Sequence, residues 1–204
     1  PYLDGSLSIS RASRTFPQYL IFKPSMIITG ILLFYYWNFN NTYTTLPNIF
    51  YSEVKPEYFE NPKLLLFNEN LANELNLNFN NNEKEICDFL LGKKLDKDKF
   101  ISQAYAGHQF GNWVPQLGDG RALLLGEVLA KNNLRYDIQL KGSGRTPYSR
   151  GGDGKAWLGP VIREYLVSEY MNNINIPSTR SLSAILTGDN VYREETDPGA
   201  VLCR

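Results

Sequence analysis

The chain has 204 residues, of which 43% are hydrophobic and 13% aromatic, and its formal net charge at pH 7 is zero. This composition supports the packed core of one domain, or of one and a half, and excludes a disordered tail. The zero net charge also argues against a general nucleic-acid-binding protein, because its affinity would depend on an excess of lysine and arginine.

The cysteine and histidine content restricts the chemistry further. Cys87 and Cys203 are the only cysteines, which is too few for a disulfide framework and favours a reducing compartment, so we expect a protein that is not secreted. His108 is the only histidine, so a zinc site built from histidine and cysteine is nearly excluded. Since His108 lies between a glycine and a glutamine, we expect it to be structural.

Residues 1–36 are the part of the chain that is hardest to interpret. The most apolar run, Met26–Trp37, has about twelve residues, short of the roughly 20 that a membrane-spanning helix needs, and no signal-peptide layout precedes it. A strand or core segment and a segment foreign to the fold are equally good interpretations. A membrane anchor is less favoured, so we expect no membrane partner.

Residues 37–99 are predicted to form an N-terminal helical extension that packs on the following domain. A short strand, Leu64–Phe67, precedes a helix that Asn68 can cap and that has an apolar side of leucines. A second short helix is predicted to end at Gly92, where glycine and the two lysines after it form a stop signal.

Residues 100–204 are predicted to form a second unit, in which glycine becomes frequent. GRALLLGEVLA and LRYDIQLKGS are predicted strands, and alternation in the second directs Lys141 away from the apolar face. GPVIREYLVSEYMNNI is a predicted helix, with Pro160 in its first turn and apolar residues at helical spacing. Two further strands are predicted to meet in a turn at Gly188–Asp189, and another begins in PGAVLCR, so we expect the chain to be a fragment.

This order of elements predicts an α+β fold with an antiparallel sheet and one main helix. The order is the layout of a protein-kinase N-terminal lobe: a strand, a glycine turn, a strand ending in lysine, a long loop, a helix with a glutamate and then antiparallel strands. Such a lobe holds the phosphates of a nucleotide, so basic and glycine residues at these places are the candidate site.

The turn Gly118-Asp119-Gly120-Arg121 is the first candidate for holding a polyphosphate. Glycines let backbone N–H groups approach an anion, and Arg121 adds a positive charge. A plain hairpin turn is the alternative explanation of the same residues.

Lys141 and Glu164 are the second candidate. A lysine at the end of this strand can reach a phosphate above the sheet, and a helix glutamate pairs with such a lysine in kinases. Taken alone, Lys141 also fits a solvated edge lysine and Glu164 an ordinary surface glutamate.

The loop of residues 142–155 is the third candidate, because it is too long and too rich in glycine to be only a connection. Two arginines and a lysine give it positive charge, and Asp153-Gly154 can form a turn with free N–H groups. A flexible linker is the alternative.

Three long segments are specific enough to compare with known families: AYAGHQFGNWVPQLGDGRALLLGE, LKGSGRTPYSRGGDGKAWLGPVIREYLVSEYM and IPSTRSLSAILTGDNVYREETDPGAVLCR. They closely resemble the selenoprotein O (SelO, YdiU) family, and the resemblance extends upstream to about Trp37. It implies a protein-kinase-like, pseudokinase fold that binds ATP in a flipped orientation and transfers AMP to Ser, Thr or Tyr hydroxyls of protein substrates. It also implies a cytoplasmic location in a bacterium or a mitochondrial one in a eukaryote.

The resemblance implies roles for single residues as well. Gly118, Gly120 and Arg121 match nucleotide-binding positions of the family, and Asp153 and Gly154 match nucleotide contacts in the loop. Lys141 matches a lysine that contacts phosphate, and Glu164 matches the helix partner of that lysine. Arg204 matches the first of two arginines that bind phosphate. The second arginine, the catalytic-base aspartate and the magnesium ligands are expected beyond Arg204, so no catalytic or metal-binding residue is expected within this chain, which would be inactive alone. A protein phosphotransferase and a non-catalytic nucleotide-binding scaffold remain as alternatives.

Overall fold

The computed structural model describes residue 39 and residues 41–79, 82–95 and 100–204. These residues belong to a single unit, Phe39–Arg204. The interpretations of residues 1–36, including the apolar run, lie outside the described residues. No helix in the described ranges is long and apolar enough to cross a membrane.

Within these ranges the chain forms strands, three α-helices and two short 3-10 helices. The 3-10 helices are Thr42–Thr45 and Asn48–Phe50, and the α-helices are α1 (Glu69–Glu74), α2 (Glu83–Leu90) and α3 (Leu158–Asn173). The strands are β1 (Tyr51–Glu53), β2 (Lys63–Phe67), β3 (Ile101–Gln103), β4 (Gly107–Gln109), β5 (Asn112–Val114), β6 (Ala122–Leu129), β7 (Arg135–Lys141), β8 (Ala156–Trp157), β9 (Ser183–Tyr192) and β10 (Thr196–Cys203).

Eight of these strands form one antiparallel sheet. Seven of them follow the order β1-β3-β6-β7-β10-β9-β2, and β8 pairs with β10 outside this path. β4 and β5 form a separate hairpin. The predicted α+β class, with an antiparallel sheet and one main helix, is confirmed.

Both edges of the sheet come from the N-terminal extension. β1 pairs with β3, with Tyr51 opposite Gln103, and β2 pairs with β9, with Phe67 opposite Ser183. Residues 51–67 are therefore part of the same sheet as the strands that follow residue 100.

The predicted ends of the two short helices are confirmed. Asn68 Oδ1 accepts a hydrogen bond from the Leu71 N–H at 3.0 Å, which caps α1. After α2, Gly92 adopts a φ of +75°, and a Cβ there would lie 2.9 Å from the ring of Phe100. Because that backbone region disfavours other residues and the space is filled, this helix end requires glycine.

The central hairpin of β6 and β7 gives Lys141 its orientation. Ile138 and Leu140 of β7 are 1% and 0% exposed on one face of the sheet, and Lys141 lies on the other, as the alternation predicts. In register, Lys141 is opposite Leu202 of β10, which packs in a buried cluster with Val161 of α3. Lys141 therefore lies on the face of the sheet that α3 covers.

One predicted turn is wrong. β9 continues through Gly188–Asp189, and the hairpin turn lies at residues 193–195. The Thr187 hydroxyl accepts a hydrogen bond from the Asp189 N–H at 3.2 Å and donates one to the Asp189 carbonyl oxygen at 3.3 Å. The register of β9 with β10 shifts between Pro198 and Ala200. The positive φ of Gly188, +85°, therefore belongs to a bulge within the strand.

α3 is held on the sheet by its first half. Val161 is buried in a cluster with residues of β8, β9 and β10, and Ile162 and Tyr165 pack against the same cluster. Leu166 and Tyr170, which share the apolar spacing seen in the sequence, are instead exposed. This packing fixes the part of the helix that carries Glu164.

Candidate functional site

One carboxylate on α3 binds two cations from neighbouring strands. Glu164 Oε2 accepts a hydrogen bond from Lys141 Nζ at 2.5 Å, and Glu164 Oε1 accepts one from Arg204 Nη1 at 2.7 Å. The Lys141, Glu164 and Arg204 side chains are 24%, 26% and 23% exposed. The structure thus brings together three of the residues singled out in the sequence, and we call them the Glu164 cluster.

The register of the sheet places the two cations side by side. Lys141 is the last residue of β7, and Arg204 directly follows β10, the next strand. The Arg204 N–H donates to the Gln139 carbonyl oxygen at 2.9 Å, and the Gln139 N–H donates to the Arg204 carbonyl oxygen at 2.8 Å. Because Gln139 and Lys141 are two residues apart on one strand, their side chains share a face with Arg204.

The Glu164 cluster carries an excess of positive charge. Burial is the largest single influence on the pKa of Glu164 and raises it, but the hydrogen bonds and charges of Lys141 and Arg204 outweigh burial and lower the pKa overall. Glu164 is therefore ionised at neutral pH. Two cations against one carboxylate leave a net positive charge that an anion can neutralise.

A polar chain that the sequence analysis missed continues from Arg204. Gln139 Oε1 accepts from Arg204 Nε at 3.0 Å and from Nη2 at 2.7 Å, and Gln139 Nε2 donates to Asp119 Oδ2 at 3.3 Å. Asp119 is 5% exposed and also accepts from the Tyr105 hydroxyl at 3.0 Å and the Gln103 N–H at 3.1 Å. Strand alternation could have indicated Gln139, whereas nothing in a Gly-Asp-Gly turn shows that its aspartate is buried.

Burial controls the proton affinities along this chain. It raises the pKa of Asp119, although the hydrogen bonds that the carboxylate accepts act in the opposite direction. Burial beside the same carboxylate raises the pKa of Tyr105 to about 12. The Tyr105 hydroxyl therefore remains a hydrogen-bond donor at neutral pH.

The turn of residues 118–121 is packed tightly against the loop of residues 142–155. A Cβ on Gly118 would lie 2.5 Å from Tyr148 Cγ, and a Cβ on Gly120 would lie 3.0 Å from the Tyr148 carbonyl oxygen. Two loop hydroxyls donate to carbonyl oxygens of the turn, Thr146 Oγ1 to Asp119 and Ser149 Oγ to Gly120, each at 2.6 Å. The two glycines are therefore required for the close approach of the loop.

Only part of the turn remains available to an anion. The N–H groups of Gly118 and Asp119 already donate to backbone carbonyl oxygens, at 3.0 Å and 2.9 Å. In the described part of the chain, no acceptor is bonded to the N–H of Gly120 or Arg121, and the exposed Arg121 side chain has no hydrogen-bond or ion-pair partner. Arg121 is next to the end of β7, because its carbonyl oxygen accepts from the Gly142 N–H at 2.8 Å.

Asp153 and Gly154 lie near the other end of the loop, and no bond between described residues joins them to the Glu164 cluster. Asp153 accepts two hydrogen bonds from Arg193, at 2.7 Å and 2.8 Å, and these hold the pKa of Asp153 below its usual value. Gly154 has a φ of +70°, and the backbone of Gly144 fills the space of a side chain. The structure thus gives Asp153 a cationic partner of its own.

A cleft of about 910 Å³ opens beside the Glu164 cluster. Its walls include Arg204, Gln139, Asp119 and Tyr105, so the polar chain lines it, and Arg180 contributes a further cation. This volume is in the range of pockets that hold small molecules. Arg204 therefore connects the Glu164 cluster to a space that can receive a ligand.

Among the described residues, the histidine and the cysteines take part in no cluster of metal ligands. Within the described ranges, no three His, Cys, Asp or Glu side chains come together as metal ligands do. Cys87 and Cys203 are free and buried, and burial raises their pKa values to about 11 and about 12. The His108 ring lies 5.1 Å from the Trp113 ring in the β4–β5 hairpin.

Comparison with known proteins identifies the family. The model of the family described as "Protein adenylyltransferase SelO" matches residues 34–204. Proteins named protein nucleotidyltransferase YdiU from Brevibacillus brevis and Clostridium perfringens are 54% and 55% identical over 170 and 175 residues, in each case 82% of this chain and 34% of the relative. A protein of the same name from Pelagibacter ubique is 50% identical over 170 residues, 82% of this chain and 35% of its own. The chain spans about a third of the length of these curated relatives. It belongs to the SelO family.

Proposed function

We propose that this chain provides the ATP-binding part of a protein adenylyltransferase, in the form of a kinase-like N-terminal lobe. The observation that carries the proposal is the Glu164 cluster, in which one helix carboxylate binds Lys141 and Arg204 at 2.5 Å and 2.7 Å. A strand lysine paired with a helix glutamate is the arrangement that holds ATP phosphates in protein kinases. The description of the family and the names of the relatives support a nucleotide as the substrate.

In this proposal, Lys141, Arg204 and Arg121 neutralise the outer phosphates of ATP. The Glu164 cluster has a net positive charge, and Arg121 is exposed next to the end of β7. The N–H groups of Gly120 and Arg121 add backbone donors, while Gly118 keeps the turn against the loop. The charge of ATP is thus met by Lys141 and Arg204, which Glu164 already holds in place, and by the exposed Arg121.

Asp153 and Gly154 are proposed to contact the nucleotide from the loop. Because its pair with Arg193 lowers the pKa of Asp153, this carboxylate is ionised at neutral pH. An ionised carboxylate repels phosphate and accepts hydrogen bonds from hydroxyl and amino groups. We therefore assign Asp153 to the nucleoside end of ATP, away from the cationic cluster.

We propose that ATP binds in a flipped orientation, with its outer phosphates at the Glu164 cluster and its α-phosphorus facing an acceptor hydroxyl. The oxygen of a Ser, Thr or Tyr side chain forms a bond to the α-phosphorus, the bond from that phosphorus to its bridging oxygen breaks, and pyrophosphate leaves. Lys141, Arg204 and Arg121 neutralise the charge that develops on the pyrophosphate. The base that takes the hydroxyl proton, and the ligands of Mg2+, are expected outside residues 1–204.

A protein phosphotransferase is the second candidate, because kinases use the same pairing of lysine and glutamate. The two are separated by incubating the full-length protein and magnesium with ATP labelled at either the α- or the γ-phosphate. Protein labelled only from the α-phosphate supports AMP transfer, and protein labelled only from the γ-phosphate would replace the proposal by a kinase. Binding of ATP without any transfer would indicate a scaffold instead.

The same assay tests the role of Lys141. Lys141→Ala is expected to abolish transfer while the circular dichroism spectrum is unchanged, because it removes a phosphate-neutralising charge and no core packing. Lys63→Ala, at an exposed lysine of the edge strand β2, is the matched control and should transfer normally. Normal transfer by Lys141→Ala would contradict the assigned role.

A further inference from the structure

We propose that Gln139 is a positioning residue that sets the Arg204 guanidinium for phosphate binding, and that Asp119 fixes the orientation of the Gln139 amide. The inference depends on the proposed function in one respect, that Arg204 binds the outer phosphates of ATP. It concerns the structure of the protein before ATP binds, and it gives a buried carboxylate and a half-buried amide a shared role.

The first step is the geometry around Arg204. Gln139 Oε1 accepts from Nε and Nη2, and Glu164 Oε1 accepts from Nη1, so three of the five guanidinium N–H groups are used. Acceptors on three different nitrogens fix both the plane and the rotation of the guanidinium. One N–H on Nη1 and one on Nη2 remain, so Arg204 keeps two donors for a phosphate.

The second step is the orientation of the Gln139 amide. An amide can turn by half a rotation, and only one orientation directs its oxygen at Arg204. Asp119 Oδ2 selects that orientation because it accepts from Gln139 Nε2 at 3.3 Å. In the opposite orientation, an NH2 group would face the guanidinium and an amide oxygen would face the carboxylate, so two attractive contacts would become repulsive.

The third step is what holds Asp119. Asp119 is 5% exposed, and its carboxylate accepts hydrogen bonds from the Tyr105 hydroxyl and the Gln103 N–H. The backbone carbonyl oxygen of Asp119 accepts from Ser102 Oγ at 2.9 Å and from Thr146 Oγ1 at 2.6 Å. Asp119 is thus fixed by β3 and by the loop. The order of the loop is therefore linked to the orientation of Arg204 through two side chains.

The energetic consequence is that Arg204 loses less conformational freedom when ATP binds. An arginine side chain free in solvent must be immobilised by its ligand, which weakens binding. Gln139 and Glu164 have already immobilised it. Removing the Gln139 amide should therefore weaken ATP binding without any loss of a direct contact to ATP.

The test is a double-mutant cycle on nucleotide affinity in the full-length protein, measured by titration calorimetry with ATP and with AMP. Gln139→Met keeps the length of the side chain and removes its amide, and it is expected to weaken ATP binding about tenfold. AMP, which lacks the outer phosphates, should bind within about twofold of the wild-type affinity. In an Arg204→Ala background, Gln139→Met should have no further effect on ATP. Gln116→Met, at an exposed glutamine with no partner in the described part of the chain, is the matched control.

Three results would overturn the inference. They are a tenfold loss that persists in the Arg204→Ala background, equal losses for ATP and AMP, and an Arg204→Ala protein with unchanged ATP affinity. If Gln139→Met fails to fold, Gln139→Asn, which keeps the amide but shortens its reach by one methylene, must give the same pattern. A protein that follows this pattern but transfers no AMP would overturn the proposed function and leave this inference standing.

Discussion

Replacement of Glu164 by glutamine is expected to destabilise the fold by about 2 kcal/mol at pH 7. The carboxylate makes charge-assisted hydrogen bonds to Lys141 and Arg204, each worth about 1.5–3 kcal/mol when fully buried. All three side chains are about one-quarter exposed, so solvent screening reduces the sum, and the glutamine oxygen still accepts from one cation. With a denaturant slope of about 2 kcal/mol per molar urea, the midpoint of urea unfolding of the purified chain falls by about 1 M.

The effect of this substitution should depend on pH. Burial raises the pKa of Glu164, but Lys141 and Arg204 outweigh it and lower the folded-state pKa below the ordinary value of 4.5. A lowered carboxyl pKa stabilises the fold fully above the unfolded-state value, and this stabilisation is lost as the pH falls through the folded-state value. The difference between wild type and Glu164→Gln should therefore shrink below pH 4.5. Equal midpoints at pH 7, or a difference that grows on acidification, would refute the reasoning; Glu60→Gln, at an exposed residue, is the control.

Two further substitutions test the turn of residues 118–121. Arg121→Ala should weaken the binding of ATP at least tenfold more than that of AMP in calorimetric titrations, because its charge is assigned to the outer phosphates; equal losses would contradict that assignment. Gly118→Ala should lower the free energy of unfolding by about 1–2 kcal/mol because residue 118 has a φ of +58°. The contact of the added methyl with the Tyr148 ring should lower it by a further amount of about 1–3 kcal/mol. Adding Tyr148→Ala should reduce the second part, as judged by urea unfolding, because it removes the ring and leaves only the Cβ of residue 148, 2.9 Å from the added methyl. A cost that is the same with and without the ring would disprove the packing role of Gly118.

Local patterns in the sequence predicted part of the geometry of the candidate site. Alternation in β7 predicted that Lys141 leaves the apolar face, and the structure places it on the face that α3 covers. The caps at Asn68 and Gly92 were predictable because each depends on a few neighbouring residues. Glu164 was singled out from the kinase-like order of elements, in which a helix with a glutamate follows a strand that ends in lysine, and the structure pairs it with Lys141 at 2.5 Å.

Features that depend on distant partners were not predictable. Gly188–Asp189 has the composition of a turn, and only its pairing with β10 makes it a bulge. Asp119 gives no local sign of burial, because the loop that covers it begins more than twenty residues later. The glycines of the turn were explained by anion approach, whereas the structure adds a second requirement, the packing of Tyr148.

The pairing of β2 with β9 has a consequence for synthesis on the ribosome. Lys63 lies opposite Leu186, so the partner of β2 is translated about 120 residues later, which at about 5–20 residues per second is a delay of roughly ten seconds. During that interval the apolar segment KLLLF has no strand to pair with, and its backbone groups can join those of another nascent chain. Rapid translation or chaperone binding at this stage is therefore expected to raise the yield of native protein.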